Sequence, residues 1–169
     1  MANRTYPLGT RTGVASVDRV LTAIESHDAG EIAAAIHYFP LSCTDGTGFG
    51  ARPCPAGKPV GTPVDVVGYS GCEGGYALRG DAANITSITS AWATIERRLY
   101  GVVAQPVSDK LEVPAGYVII LLKTDPSQSG ASASALSVDQ SGITYFSGGC
   151  GQEIDAFAAG RAWLFGPAP

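Results

Sequence analysis

The sequence predicts a single α+β domain in which about three helices of the N-terminal half pack against a mostly antiparallel sheet. The length of 169 residues fits one domain, and 45% hydrophobic against 15% charged residues provides a core rather than a disordered chain. The hydrophobic spacing is helical in much of the N-terminal half and extended in most of the C-terminal half. We expect an irregular segment over residues 1–12, the core over 13–150 and a tail over 151–169.

Three helices are expected, and the first has an apolar stripe at helical spacing, formed by Val17, Val20, Leu21 and Ile24. The second begins at Asp28, because Asp28 and Glu31 have the spacing of a capping box. We expect it to run to Phe39, since Pro40 cannot continue a helix. The third spans residues 85–96, where one face carries Ile85, Ile88, Trp92 and Ile95.

The strands are indicated by extended hydrophobic segments between turn residues, at 64–69, 76–78, 99–106, 117–123, 131–138 and 143–147. Residues 117–123 are apolar on both sides, so we expect a central strand or one covered on both faces. The four residues 139–142, Asp-Gln-Ser-Gly, predict a hairpin turn. Residues 41–62 are expected to form a long loop, and residues 152–165 a short helix.

The cysteines predict disulfide bonds rather than a metal site, because the spacing of Cys43, Cys54, Cys72 and Cys150 is too wide and irregular for zinc. Four cysteines allow three pairings, and we favour Cys43–Cys54, which closes a Gly- and Pro-rich loop, together with Cys72–Cys150. Four free buried cysteines are the alternative. Disulfides indicate an extracellular or periplasmic protein. The N-terminus lacks the apolar core of a signal peptide, which we expect was removed.

Charge and hydropathy argue against two classes of partner. The net charge of −4, without a basic patch, argues against nucleic acid, whose phosphates need positive charge. No apolar run approaches the roughly 20 residues of a membrane-spanning helix. The sequence carries neither a cofactor motif nor a metal-ligand spacing, so no cofactor and no metal are expected.

Two segments of the sequence resemble the NTF2-like (SnoaL-like) superfamily. Residues 17–28 resemble the family's opening, an amphipathic helix followed by a short break with an Asp before a second helix. The hairpin around residues 139–143 is similar to the family's last pair of strands. The resemblance covers residues 13–150 and implies a cone, in which a strongly bent sheet wraps around the helices and leaves a pocket at the open end. It also implies a homodimer.

The resemblance does not choose a function, because the superfamily includes isomerases, epoxide hydrolases, cyclases, dehydratases and non-catalytic binding domains. Its best-known enzymes need pocket carboxylates, and the predicted strands carry almost none. His37, at the end of the second predicted helix, is the candidate general base. We favour the alternative, a histidine that interacts with the helix C-terminus or with solvent.

Aromatic side chains are the candidate ligand-binding residues, for an apolar or aromatic small molecule. They are Tyr38, Tyr69, Tyr76, Trp92, Tyr100, Tyr117 and Tyr145. The alternative that we favour for most of them is burial in the core. The sequence thus predicts an extracytoplasmic domain that binds a small molecule or a partner. Two alternatives remain open: an enzyme that acts through a pocket His or Asp, and a structural or assembly subunit.

Overall fold

The computed structural model describes residues 5–46, 48, 50–71, 73–106, 112–123, 132–148 and 154–166, without the side chain of residue 155. The helices are α1 (Ala15–Glu25), α2 (Ala29–Ala34), α3 (Ala82–Thr94) and α4 (Ile154–Ala158). The strands are β1 (Phe39–Ser42), β2 (Pro63–Ser70), β3 (Gly74–Leu78), β4 (Arg97–Gln105), β5 (Gly116–Lys123), β6 (Ala133–Val138), β7 (Ile143–Gly148) and β8 (Trp163–Phe165). The predicted α+β class is confirmed.

Within the described residues, the strands form one sheet in the order β1-β2-β7-β6-β5-β4-β8, with β3 paired to β2. The strand pairs are antiparallel apart from β2 and β7, which are parallel. Val66 of β2 pairs with both Phe39 and Leu78, so β1 and β3 lie on opposite sides of β2. The prediction of a mostly antiparallel sheet is confirmed, and the bent cone stays a prediction.

The sheet is covered on both faces, which is the physical reason why β5 is apolar on both sides. Leu21 of α1 and Ile32 of α2 belong to the same buried cluster as Ile119 of β5. The next residue of β5, Ile120, points to the opposite face and packs in a second cluster with Phe157 of α4. We call these two sides of the sheet the three-helix face and the α4 face.

Helix α2 begins where the sequence predicts. Asp28 Oδ1 accepts hydrogen bonds from the backbone N–H groups of Gly30 (2.6 Å) and Glu31 (3.0 Å), which satisfies two donors of the first turn. The reciprocal bond of a capping box is replaced, because the N–H of Asp28 donates to Ser26 Oγ at 3.2 Å. The carboxylate alone therefore supplies the predicted cap.

Helix α2 ends at Ala34, well before the predicted stop at proline. Beyond it the backbone pairs with the hairpin of β6 and β7. The N–H of His37 donates to the carbonyl of Ile143 at 2.9 Å, and the N–H of Ile143 donates to the carbonyl of Ala35 at 2.8 Å. These hydrogen bonds with Ile143 take the place of the backbone hydrogen bonds that a longer helix would form. The prediction that His37 and Tyr38 end a helix is therefore wrong, because both lie in the connection to β1.

The C-terminal tail forms a short helix and a further strand, where the sequence predicts only a helix. Helix α4 stops at Ala158, and β8 begins at Trp163. Strand β8 pairs with β4, with Trp163 opposite Val103 and Phe165 opposite Val102. A strand of three residues is too short to show a period in the sequence, so its partner strand decides its conformation.

The disulfide between Cys43 and Cys54 is confirmed, with a Cα–Cα distance of 4.9 Å. Cys43 directly follows β1 and is 1% exposed, so the bond attaches the following loop to the edge of the sheet. Cys72 and Cys150 lie outside the described residues, and their pairing stays a prediction. One of the two favoured pairings is thus established.

Removal of this disulfide is expected to lower the free energy of unfolding by about 2–4 kcal/mol, because the open loop gains entropy in the unfolded chain. The variant is Cys43→Ala/Cys54→Ala, and urea denaturation without reductant measures the loss. Reductant should then lower the stability of the wild type by more than that of the double variant. Equal denaturation midpoints of the two proteins without reductant would contradict the expectation.

Candidate functional site

A cleft with a volume of about 530 Å³ lies on the α4 face, between the sheet and α4. Its floor is made of small residues, among them Ser70 of β2, Gly74 of β3 and Ala135 and Ser137 of β6. Because these side chains are short, they leave a space that bulkier residues would fill. The volume lies in the range of small-molecule sites. We call this space the α4 cleft.

Hydroxyl groups line the part of the α4 cleft formed by β2 and β7. Ser70 Oγ and Ser147 Oγ lie 3.2 Å apart, within hydrogen-bonding distance. Burial has the largest effect on the Tyr145 hydroxyl and raises its pKa above its ordinary value, while the Ser70 side chain also acts on this hydroxyl and lowers that pKa. The three hydroxyls therefore form a group of uncharged donors and acceptors.

A glycine in β2 makes room for the Tyr145 ring. A Cβ built on Gly68 would lie 1.9 Å from Tyr145 Cδ2 and 2.4 Å from Cε2, so the ring packs directly on the backbone of β2. Tyr145 itself is 7% exposed. The ring is thus fixed in place, and its hydroxyl lies 3.2 Å from the Cβ position of Gly74 at the edge of the α4 cleft.

An amide is fixed in the same cleft. Ser137 Oγ donates to Gln105 Oε1 at 2.8 Å, and Gln105 Nε2 donates to the carbonyl of Pro114 at 3.3 Å. Gln105 is 5% exposed, so these two bonds determine which way the amide faces. The oxygen of Ser137 keeps its lone pairs as acceptors for a ligand.

Arg161, three residues beyond α4, brings a positive charge to the α4 cleft. Its Nη1 donates to the carbonyl of Phe157 at 2.7 Å, which fixes the guanidinium against the end of the helix. Burial lowers the pKa of Arg161 from its ordinary value, because the charged form is partly removed from water. Among the described side chains, no carboxylate lies within 4.0 Å of this guanidinium.

The candidate base His37 pairs with a residue that the sequence analysis assigned only to a turn. His37 Nδ1 donates to Asp139 Oδ2 at 2.6 Å, while Asp139 Oδ1 accepts from the N–H groups of Ser141 (2.7 Å) and Gly142 (3.0 Å). Asp139 is 7% exposed, and neither it nor His37 lines the α4 cleft. The pair connects the segment after α2 to the β6–β7 turn.

Of the aromatic candidates, Tyr145 lines the α4 cleft and the other six lie elsewhere. Tyr38, Tyr69, Trp92 and Tyr117 pack with the cluster on the three-helix face. The ring of Tyr76 lies 5.5 Å from the Arg52 guanidinium, and Tyr100 makes an edge contact with Trp163 at 6.1 Å. Tyr145 is itself buried in a third apolar cluster, against which Tyr76 packs, and Tyr100 packs against the cluster of the α4 face.

Five polar residues of the α4 cleft are not predicted from the sequence: Ser70, Gln105, Ser137, Ser147 and Arg161. Of these, Ser137 lies in a run of small residues in β6, which is unusual for a buried strand but does not indicate what packs above it. The other four residues belong to no common element: Ser70 lies in β2, Gln105 in β4 and Ser147 in β7, while Arg161 follows α4. Only the packed sheet and α4 bring them together.

Within the described part of the chain, no group of three or more His, Cys, Asp or Glu side chains is placed to hold a metal ion. The helices described here include none that is both long and apolar enough to cross a membrane. No protein-family model, no curated protein and no solved structure matches the chain. Membership of the NTF2-like superfamily and the homodimer that it implies therefore stay predictions.

Proposed function

We propose that this protein is a non-catalytic domain that binds a small molecule in the α4 cleft. The observation that carries the proposal is the convergence of uncharged hydroxyls, a fixed amide and one guanidinium on a cleft of about 530 Å³. Apolar surface from Val118 and Phe157 completes the lining. This combination suits a small ligand with several polar groups beside an apolar or aromatic body, since the polar groups of a site fix the orientation of its ligand.

The lining favours binding over catalysis. General acid–base catalysis needs a group that gains and loses a proton near the working pH. Among the described lining side chains, Tyr145 and Arg161 are the titratable ones. Burial raises the pKa of Tyr145 further above neutrality, so it stays a neutral hydroxyl at pH 7. The described lining holds neither a carboxylate nor an imidazole.

The polar groups of the α4 cleft are held in position by bonds within the protein. Ser137 orients Gln105, Ser70 and Ser147 orient each other, and the Phe157 carbonyl holds Arg161. Groups that are already ordered lose little conformational entropy when a ligand binds. This order supports a ligand-binding role for the cleft.

We place this function in an extracellular or periplasmic compartment. The Cys43–Cys54 disulfide supports the assignment, because disulfides persist where the surroundings are oxidising. The disulfide lies in the loop after β1 and does not line the α4 cleft, so it contributes to stability rather than to binding.

Filling the α4 cleft is expected to abolish binding. A Cβ at Gly74 would lie 3.2 Å from the Tyr145 hydroxyl, so the larger side chain of Gly74→Val would enter the cleft. The measurement is a titration of ¹⁵N-labelled protein, followed by NMR, with a fragment library of aromatic acids, amides, alcohols and sugars. We expect at least one fragment to shift the amide signals of Ser70 and Ser147 in the wild type, and no shift in Gly74→Val.

The matched control is Gly80→Val, because a Cβ at Gly80 meets nothing within 4 Å. This variant should bind the same fragments as the wild type. The proposal fails if no fragment in the library shifts the cleft signals, or if the shifts persist in Gly74→Val.

An enzyme that uses His37 is the second candidate, favoured by one observation. The buried Asp139 carboxylate accepts a hydrogen bond from Nδ1 of His37, which leaves Nε2 as the basic nitrogen of the ring. Hydrolysis of p-nitrophenyl acetate that is lost in His37→Gln, without a change in melting temperature, would favour this candidate over the binding domain.

A further inference from the structure

We propose that the ligand of the α4 cleft carries a carboxylate, which pairs with Arg161. This inference rests on the proposed function and adds the chemical class of the ligand. Its starting point is charge: Arg161 is the charged group among the described lining residues, and no described carboxylate neutralises it. A cation that is partly removed from water gains more from an anionic partner than an exposed one does.

The guanidinium is fixed in a way that leaves most of its donors for a ligand. Among the described residues, only the carbonyl of Phe157 accepts a hydrogen bond from Arg161, at 2.7 Å from Nη1. An arginine has five N–H donors in a planar fork, and the fork matches the two oxygens of a carboxylate. The Phe157 contact therefore orients the fork and uses one of its five donors.

The single positive charge of Arg161 indicates that the ligand carries one negative charge. One guanidinium balances one negative charge, and the other polar groups of the described lining are uncharged: the amide of Gln105 and the hydroxyls of Ser70, Ser137, Ser147 and Tyr145. A phosphate monoester carries about −1.5 to −2 charges at pH 7 and would leave part of that charge unpaired in a partly buried site. The hydroxyls instead suit a neutral polar group at the other end of the ligand.

The apolar lining indicates which kind of group connects the carboxylate of the ligand to its neutral polar end. Phe157 and Val118 lie on the same cleft as Arg161, and both belong to the apolar cluster of the α4 face. An aromatic or aliphatic body packed on them would remove apolar surface from water. The inferred ligand is therefore a small apolar or aromatic monocarboxylic acid.

The test compares acids with their uncharged amides. Wild-type protein is titrated with benzoate and benzamide and with phenylacetate and phenylacetamide, and NMR shifts of cleft residues give the affinities. We expect each acid to bind about tenfold more tightly than its amide, as for a charge-assisted hydrogen bond. Phenyl phosphate is a further arm, and we expect it to bind more weakly than benzoate.

The variants assign the preference to one side chain. Arg161→Gln should lose the preference for the acid and keep the affinity for the amide. Arg161→Lys should keep part of the preference for the acid, because lysine retains the positive charge but lacks the planar fork of donors. Arg11→Gln is the matched control, since Arg11 is exposed and does not line the α4 cleft; it donates to the carbonyl of Gly9 and interacts with the charge of Asp18. Melting temperatures show whether each variant is folded.

Two outcomes separate this inference from the proposed function. If acids and amides shift the cleft signals with equal affinity, the cleft binds ligands but the carboxylate assignment is wrong. If phenyl phosphate binds more tightly than benzoate, the assignment to a carboxylate is likewise overturned. If neither the acids, the amides nor the fragment library shift the cleft signals, both the inference and the proposed function fail.

Discussion

The Asp139→Ala variant is expected to lose about 3 kcal/mol of unfolding free energy, because two N–H groups of the β6–β7 turn lose their acceptor. Asp139 Oδ1 accepts from the backbone of Ser141 and Gly142, at 2.7 and 3.0 Å. Gly142 is buried, so water cannot replace the carboxylate there. His37 Nδ1, which donates to Oδ2 at 2.6 Å, also loses its partner.

The Asp139→Asn variant distinguishes the contribution of the turn hydrogen bonds to stability from that of the His37 hydrogen bond. The asparagine oxygen can still accept from the two turn N–H groups, but its amide group replaces the acceptor of His37. We expect this variant to lose about half as much stability as Asp139→Ala. Urea denaturation at pH 7 measures both variants. A loss below 1 kcal/mol in Asp139→Ala (roughly one ordinary hydrogen bond) would show that the buried carboxylate is not needed for the turn.

The Gly142→Ala variant is expected to be destabilised by about 3 kcal/mol, through a backbone clash and a strained conformation. A Cβ at this position would lie 2.2 Å from the carbonyl oxygen of Ala35 and 3.3 Å from the N of His37. The Ala35 carbonyl is the acceptor of the Ile143 N–H, so it cannot move away without loss of that bond. Gly142 also has φ +156°, which an L side chain rarely adopts.

Thermal and urea unfolding measure the effect of Gly142→Ala. The control is Gly46→Ala, since a Cβ at Gly46 meets nothing within 4 Å and its φ is outside the positive region. We expect the control to change stability by less than about 1 kcal/mol. Equal stability of the two glycine variants would contradict the close approach of the turn to the segment after α2.

Both predictions concern one junction of the fold. The β6–β7 turn reaches the chain just after α2 through the backbone bonds of Ile143 and through the pair of Asp139 and His37. The turn sequence and His37 are each visible in the sequence, but nothing in either segment indicates the other. They are 102 residues apart, and only the packing of the helices on the sheet brings them into contact.

The local elements follow from the sequence because their signals are carried by near neighbours. The stripe of α1, the cap at Asp28 and the extended spacing of β5 are all set by residues a few positions apart. The Cys43–Cys54 bond is also local, since it closes a short Gly- and Pro-rich loop. These features could be predicted, and the structure confirms them.

The α4 cleft could not be predicted in the same way. Helix α4 packs on the face of the sheet opposite α1–α3, and no short-range pattern in its five residues specifies that face. Arg161 lines the cleft because α4 ends beside it, while Ser70 and Ser147 meet because β2 and β7 are parallel neighbours. Such contacts depend on where whole elements pack.

The sequence by itself determined the class of the fold, most helices and strands, and one disulfide, because hydrophobic period, caps and short loops act over a few residues. The tertiary structure decided where α2 ends, since Ala35 and His37 bond the distant Ile143 instead of continuing a helix. It also decided that the tail adds β8 and places α4 over the small residues of β6. The packing of α4 over these small residues creates the cleft. In each of these cases, hydrogen bonds and burial between distant segments outweigh the conformational preference of the local sequence.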